Sequence, residues 1–222
     1  MAGDPGTELQ LADWRRRVAA LYVEVRALAL TDPEAAWRCW IEVREQLYRT
    51  HPLSPVPSVS RPTFQARYWP YDATFRFQVR LEETTAAVSP TAGGFGGIAP
   101  LPLTLPNSGA DVLAFHRIGS VAIPFALGER HLSVFWMEGY AGGLFLAFRD
   151  ATNGIETYGA GRYLVDGAKS ADLGGDPVAG TLILDFNFAY QPSCAFDPKW
   201  ACPLAPSENR LDLSISAGER IA

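Results

Sequence analysis

Between Thr74 and Glu82 every second residue is apolar: Phe75, Phe77, Val79 and Leu81 alternate with Thr74, Arg76, Gln78, Arg80 and Glu82. Successive side chains of a strand point to opposite faces, so this pattern specifies a strand with one face buried and one face wet. Leu132, Val134 and Trp136 repeat it less purely, and Leu211, Leu213 and Ile215 repeat it near the end of the chain. Further strand-like runs cover residues 64–69, 112–118, 121–127, 144–148, 155–164 and 181–188. Turn signals separate them at Ile118-Gly119-Ser120, Leu127-Gly128-Glu129, residues 139–143 and Asn153-Gly154. About nine short strands with no helical pattern among them predict an antiparallel β-barrel or sandwich. Closure into a barrel is preferred because it removes exposed edges.

The first fifty residues carry the other period. Leu11, Trp14, Val18, Leu21, Val25 and Leu28 recur at spacings of three and four, the stripe of an amphipathic helix. A break follows at Thr31-Asp32-Pro33-Glu34, where Thr31 and Glu34 have the spacing of a capping box and proline suits a first helical turn. A second helix carries Trp37, Trp40, Ile41, Leu47 and Tyr48 and stops near His51-Pro52. Two helices joined this closely predict an antiparallel hairpin over residues 1–51. Residues 52–62, rich in proline and serine, read as an extended connection, and residues 63–222 as the β domain.

Composition excludes some functions. Of 222 residues, 48% are hydrophobic and 19% charged, which allows a sizeable core. A net charge of −5 argues against a nucleic-acid surface, and Arg15-Arg16-Arg17 reads as the solvated side of a helix. No apolar run approaches the ~20 residues that a bilayer crossing needs. The first residues have neither the basic start nor the apolar middle of a secretory signal, so a cytoplasmic location is expected. Cys194 and Cys202 stand eight apart, either bridged or, as a reducing compartment favours, two buried thiols; Cys39 stands alone. His51, His116 and His131 fall in three separate elements without ligand spacing, so neither a metal nor a cofactor is expected. The glycine-rich stretch 90–100 lacks the Lys-Ser/Thr of a phosphate loop and reads as a flap or surface loop.

Polar residues within the apolar runs mark the candidate site. If residues 155–164 form a strand, Glu156, Tyr158, Ala160 and Arg162 share one face; in 181–190, Asp185 and Asn187 share a face with Ile183 and Ala189. Were the two strands neighbours, Arg162 would reach Asp185 in a charge-assisted pair. That pair is then either a buried brace, with Asn187 closing the following turn, or the polar floor of a pocket lined by Tyr158, Phe188 or Trp136. Gly159 and Gly161 permit a bulge or the close approach of a ligand. Glu208-Asn209-Arg210 lies in a loop before the last strand, as a loop brace or a ligand contact. The candidate ligand-binding residues are therefore Glu156, Tyr158, Arg162, Asp185, Asn187 and Arg210, with no catalytic residue assigned. There is no Gly-x-Ser-x-Gly elbow. These residues suggest a non-catalytic, small-molecule-binding β-barrel, monomeric or homodimeric. The alternative is a hydrolase or lyase using Glu156 or Asp185 with Tyr158 and Arg162, in which Arg162 beside Glu156 would oppose the raised pKa that a general base needs.

Several blocks carry a family resemblance. Residues 40–55 (WIEVREQLYRTHPLSP) resemble the N-terminal signature of a bacterial family known only as domain of unknown function 1684, and Arg67-Tyr-Trp-Pro-Tyr-Asp72 looks like its next block. Residues 150–164, 185–194 and 202–219, ending in Ala217-Gly218-Glu219, look like its C-terminal blocks. The resemblance implies one mainly-β unit with a helical N-terminus and supplies no catalytic residue.

Overall fold

A computed structural model describes residues 4–83, 103–109, 113–139 and 142–221. The glycine-rich stretch 90–100 lies outside them. Helix α1 (Pro5–Leu28) begins on Asp4, whose carboxylate accepts from the Gly6 N–H at 3.2 Å. Helix α2 (Pro33–Thr50) begins on Asp32, which accepts from Ala35 N–H at 2.8 Å. Asp32 is thus the cap, not the box expected of Thr31 and Glu34. The Thr31 hydroxyl donates to the Leu28 carbonyl, and Glu34 pairs with Arg38 one turn on. Only the second half of α1 packs closely: Leu21, Tyr22 and Val25 are buried, whereas Leu9 and Leu11 face solvent. The Trp40 indole donates to the Tyr22 hydroxyl at 3.1 Å and locks the two helices together.

The segment after α2 turns repeatedly instead of running extended. Arg61 holds it by donating to the carbonyls of His51, Pro52, Ser54 and Val56.

The strands are β1 (Arg67–Tyr68), β2 (Arg76–Glu83), β3 (Leu103–Thr104), β4 (Ala114–Phe125), β5 (Gly128–Met137), β6 (Gly143–Phe148), β7 (Arg162–Asp166), β8 (Gly175–Asp176), β9 (Thr181–Asp185) and β10 (Glu219–Arg220). Their pairings are antiparallel. One eight-stranded sheet runs β7-β6-β5-β4-β2-β9-β8 with β3 also on β4, while β1 and β10 pair separately. The large sheet curls into a half-barrel. Its β7 edge meets the chain just beyond β9, where Tyr163 and Tyr190 exchange backbone hydrogen bonds of 2.8 and 3.0 Å.

Five expected strands are corrected. Runs 112–118 and 121–127 are one strand, β4, carried straight through Gly119. A β-carbon on Gly119 would lie 2.3 Å from the Glu82 carbonyl oxygen, and the β4–β5 register shifts beside it. Gly119 therefore serves a bulge where β2 passes close, not a turn. Residues 151–160 form turns; only Arg162 onward is strand. The Asp150 carboxylate accepts from Thr152 N–H at 2.6 Å, and the Asn153 amide donates to Thr157 Oγ1 and the Tyr158 carbonyl. Such local side chain–backbone bonds compete with a sheet ladder. Run 181–188 ends as a strand at Asp185, and a 3₁₀ turn buries Phe186, Asn187 and Phe188 alike. Finally, Leu211, Leu213 and Ile215 are buried and Asp212, Ser214 and Ser216 exposed, yet this segment is a strap, not a strand of the sheet.

The sheet has an apolar layer on each side. One, containing Phe115, Phe135, Phe145 and Tyr163, packs beneath the helices against Tyr22, Val25 and Trp40. The other, containing Val121, Ile123, Val134, Leu146 and Phe148, is covered by Leu211, Leu213 and Ile215 of the strap. Strand β6 buries both faces, which explains its unbroken Leu-Phe-Leu-Ala-Phe run.

Candidate functional site

Trp40, Arg44, Leu47 and Tyr48 lie at spacings of four, three and one, and all four are buried on α2. An arginine in the middle of an apolar helical face is expensive unless its charge finds a partner. The partner is Glu219: Arg44 Nη2 donates to Glu219 Oε2 at 2.7 Å, with both side chains almost fully enclosed. Glu219 opens β10 directly opposite Tyr68 on β1, so the two share a face turned towards α2. Glu219 Oε2 also accepts from Gln191 N–H at 2.8 Å. The Arg44 guanidinium lies over the rings of Tyr48, Tyr190 and Trp40, at 4.3, 4.6 and 5.4 Å from their centroids.

Beside this pair, between the hairpin and the sheet, is a cavity of about 40 Å³ whose wall includes Tyr22, Trp40, Arg44, Tyr48, Lys169 and Tyr190. Its second cation, Lys169, reaches Asp166 Oδ2 at 2.8 Å, and the Tyr190 hydroxyl donates to the same oxygen at 3.2 Å. Burial acts against the charge on Arg44, but Glu219 and the surrounding phenols outweigh it and hold its pKa above the usual value. Burial likewise raises the Tyr22, Tyr48, Tyr68 and Tyr190 hydroxyls, which stay protonated donors. Among the described residues, four buried side-chain polar atoms have no protein hydrogen-bond partner, and three belong to this cluster: Arg44 Nε, Tyr68 Oη and Glu219 Oε1.

Of the six residues expected at the site, Asp185 and Asn187 bond each other, but the six do not converge on one place. Strands β6, β5, β4 and β2 separate β7 from β9, so the neighbouring-strand premise behind an Arg162–Asp185 pair fails. Arg162, fully buried, donates instead to Asp150 Oδ2 at 2.7 Å and to the carbonyls of Ile215, Ala217 and Glu219. Burial lowers its pKa, against the opposing effect of Asp150. Asp185 pairs with Arg76 at 3.2 Å and accepts from the Tyr71 hydroxyl and the Asn187 amide. Burial raises the Asp185 pKa, partly offset by the bonds from Asn187 and Arg76. Asn187 accepts from Asp72 N–H and donates to the Asp72 carbonyl and Asp185, which satisfies its amide. Glu156 pairs with Arg220 near the surface, Tyr158 lies beside Cys194, and Arg210 is exposed with no ion pair among the described residues.

The Asn209 amide clamps the strap to the sheet, donating to the Ser133 and Ala147 carbonyls and accepting from Ser133 N–H. The histidines sit apart, each beside a different carboxylate: His51 by Asp13, His116 by Glu138 and His131 by Glu129. No helix among the described residues is long and apolar enough to cross a membrane. Sequence reasoning missed Arg44, Lys169 and Glu219. The available signal was Arg44 itself, a charge inside the Trp40–Leu47 stripe.

Comparison with known proteins agrees with this architecture. A solution NMR structure of an uncharacterised protein from gene locus rrnAC0354 of Haloarcula marismortui is similar, with TM-score 0.58 and 25% identity, over 86% of this chain and 95% of that one. No curated protein matches. The model of the family described as "Protein of unknown function (DUF1684)" matches residues 64–220, which leaves block 40–55 outside the matched span. With β1 to β10 inside that span, and a fold shared with the Haloarcula protein, this chain belongs to the DUF1684 family.

Proposed function

We propose that this protein binds a small neutral molecule in the cavity between the helical hairpin and the curled sheet. The observation that carries the reading is the cluster of unpartnered polar atoms on Arg44, Tyr68 and Glu219. Each buried donor or acceptor left without a partner costs about 1–3 kcal/mol. Arg44 lines the cavity, while Glu219 and Tyr68 lie behind its wall against Arg44 and Trp40, so a ligand head that reaches them, accepting from Arg44 and Tyr68 and donating to Glu219, relieves that cost. A carboxamide head does both.

Charge balance favours a neutral ligand. Arg44 is already offset by Glu219, and Lys169 by Asp166. The aromatic wall of Trp40, Tyr48 and Tyr190 suits a flat apolar body behind the polar head. A cavity of about 40 Å³ admits the head alone. The rest of the ligand enters as the hairpin yields, at the end where α1 packs least.

The test is thermal unfolding with a panel of aromatic carboxamides, each matched to its carboxylate. A binder present at a hundred times its Kd adds about 2.7 kcal/mol to stability. Carboxamides should raise the melting temperature more than their carboxylates do, and Lys169→Met should weaken the effect without unfolding the chain. No shift with any carboxamide, or a shift that Arg44→Met leaves untouched, would overturn the reading.

A further inference from the structure

A second cluster, away from the cavity, is built around two thiols. Cys194 and Cys202 are both free and buried, 7% and 5% exposed. A 3₁₀ turn (Ser193–Ala195) presents Cys194, and its backbone N–H donates to Cys202 Sγ at 3.4 Å. The chain between them folds back on Asp197, which accepts from Lys199 N–H through its carboxylate and from Trp200 N–H through its carbonyl. Ser108 fixes the far side: its Oγ accepts from Cys202 N–H at 2.8 Å, and its own N–H donates to the Cys202 carbonyl at 3.1 Å. Both cysteines are therefore held from their backbones, with Cys202 Sγ resting against the Cys194 N–H. Pro198 and Lys199, in the connecting loop, are exposed.

The surroundings make the two sulfurs unequal. The polar neighbours Cys202, Ser108 and Tyr158 pull the Cys194 thiol down to about 6 against the effect of burial. Cys194, with burial, pushes the Cys202 thiol up. Burial and the nearby Cys194 push the Tyr158 phenol up to about 12, so it remains a donor at neutral pH. A low-pKa thiol beside a protonated one is the pairing that thiol oxidation requires.

We propose that Cys194 and Cys202 are a peroxide-reactive dithiol, in which Cys194 attacks and Cys202 resolves to give a reversible intrachain disulfide. The Cys194 thiolate attacks one peroxide oxygen; the S–O bond forms, the O–O bond breaks, and the departing oxygen takes a proton from solvent. Cys202 then loses its proton and attacks Cys194 Sγ, forming the S–S bond as hydroxide leaves and is protonated to water. Two thiols and one hydroperoxide give one disulfide, one alcohol (water, for hydrogen peroxide) and one water. The loop closed by the new bond spans residues 194–202.

The full-length protein is treated with hydrogen peroxide, alkylated and digested with trypsin. Cleavage after Lys169, Lys199 and Arg210 places Cys194 in peptide 170–199 and Cys202 in peptide 200–210. The two peptides should be recovered joined and should separate on reduction, with Cys39 still free. In Cys202→Ser, dimedone should trap a sulfenic acid on Cys194, while Cys194→Ser should leave Cys202 unoxidised. Where either variant fails to fold, brief iodoacetamide labelling of the unaltered protein near neutral pH gives a second readout: Cys194 should react at least ~10-fold faster than Cys39. Peptides that stay unlinked while Cys39 oxidises, or labelling of Cys39 ahead of Cys194, would overturn the proposal.

Discussion

Arg44 and Glu219, 175 positions apart, meet at 2.7 Å beneath the helical hairpin and tie α2 to the last strand of the chain. The contact joins the N-terminal helices to the family-matched body through a buried charge pair. A buried pair of this kind stabilises little in net terms, yet losing one partner is expensive because the other charge is stranded. Glu219→Leu should therefore cost about 3–5 kcal/mol, while the double variant Arg44→Met with Glu219→Leu recovers most of that loss. A double-mutant cycle by urea unfolding measures both.

Asn209 makes three hydrogen bonds from a fully buried amide, holding the C-terminal strap to β5 and β6. Asn209→Ala strands Ser133 N–H as well as two carbonyls. The expected loss is about 2–4 kcal/mol at unchanged m-value, read by urea titration.

Gly161 and Gly154 separate backbone strain from crowding. Both adopt positive φ, 102° and 80°. A β-carbon on Gly161 would meet the Phe148 carbonyl oxygen at 2.4 Å, whereas one on Gly154 meets nothing within 4 Å. Gly154→Ala should cost about 1–2 kcal/mol, the strain alone. Gly161→Ala should cost more, about 3 kcal/mol or above, because β7 cannot start without moving the end of β6. Paired thermal melts give the ordering.

Asp185 sets a pH dependence of defined sign. Burial raises its folded pKa above the unfolded value of 3.8, so the folded state favours the protonated carboxyl. The resulting stability is fully present below about pH 4 and is lost as pH rises through the higher folded pKa. Asp185→Asn keeps the shape and removes the titration. Its stability should fall less than that of the unaltered protein between roughly pH 3 and pH 7, measured by urea unfolding at each pH.

The elements with strong periodicity were legible in the sequence. The stripe from Leu11 to Leu28 and the alternation from Phe75 to Leu81 produced α1 and β2 because each pattern matches one backbone period. Leu211, Leu213 and Ile215 show the limit of such reasoning. Their burial alternates as expected, but period two marks an extended chain on a buried surface and does not establish a sheet partner. Residues 155–160 misled for a related reason: the Asp150–Asn153 side chains satisfy the backbone locally, and alternation says nothing about that competition. The site was the least legible part. Arg162 and Asp185 stood out as buried charges, and both are buried and paired, but each found another partner, Asp150 or Arg76. Arg44 and Glu219 lie 175 positions apart, so no local spacing announces their pairing.

The tryptophan indole N–H signals of the isotopically labelled protein test the binding claim most directly. Adding an aromatic carboxamide should move the Trp40 signal, and that of Trp14 on the same cavity wall, saturably and together. The exposed Trp136 should stay in place. Movement of Trp136 alone, or no movement at saturating ligand, would contradict a binding site beneath the hairpin.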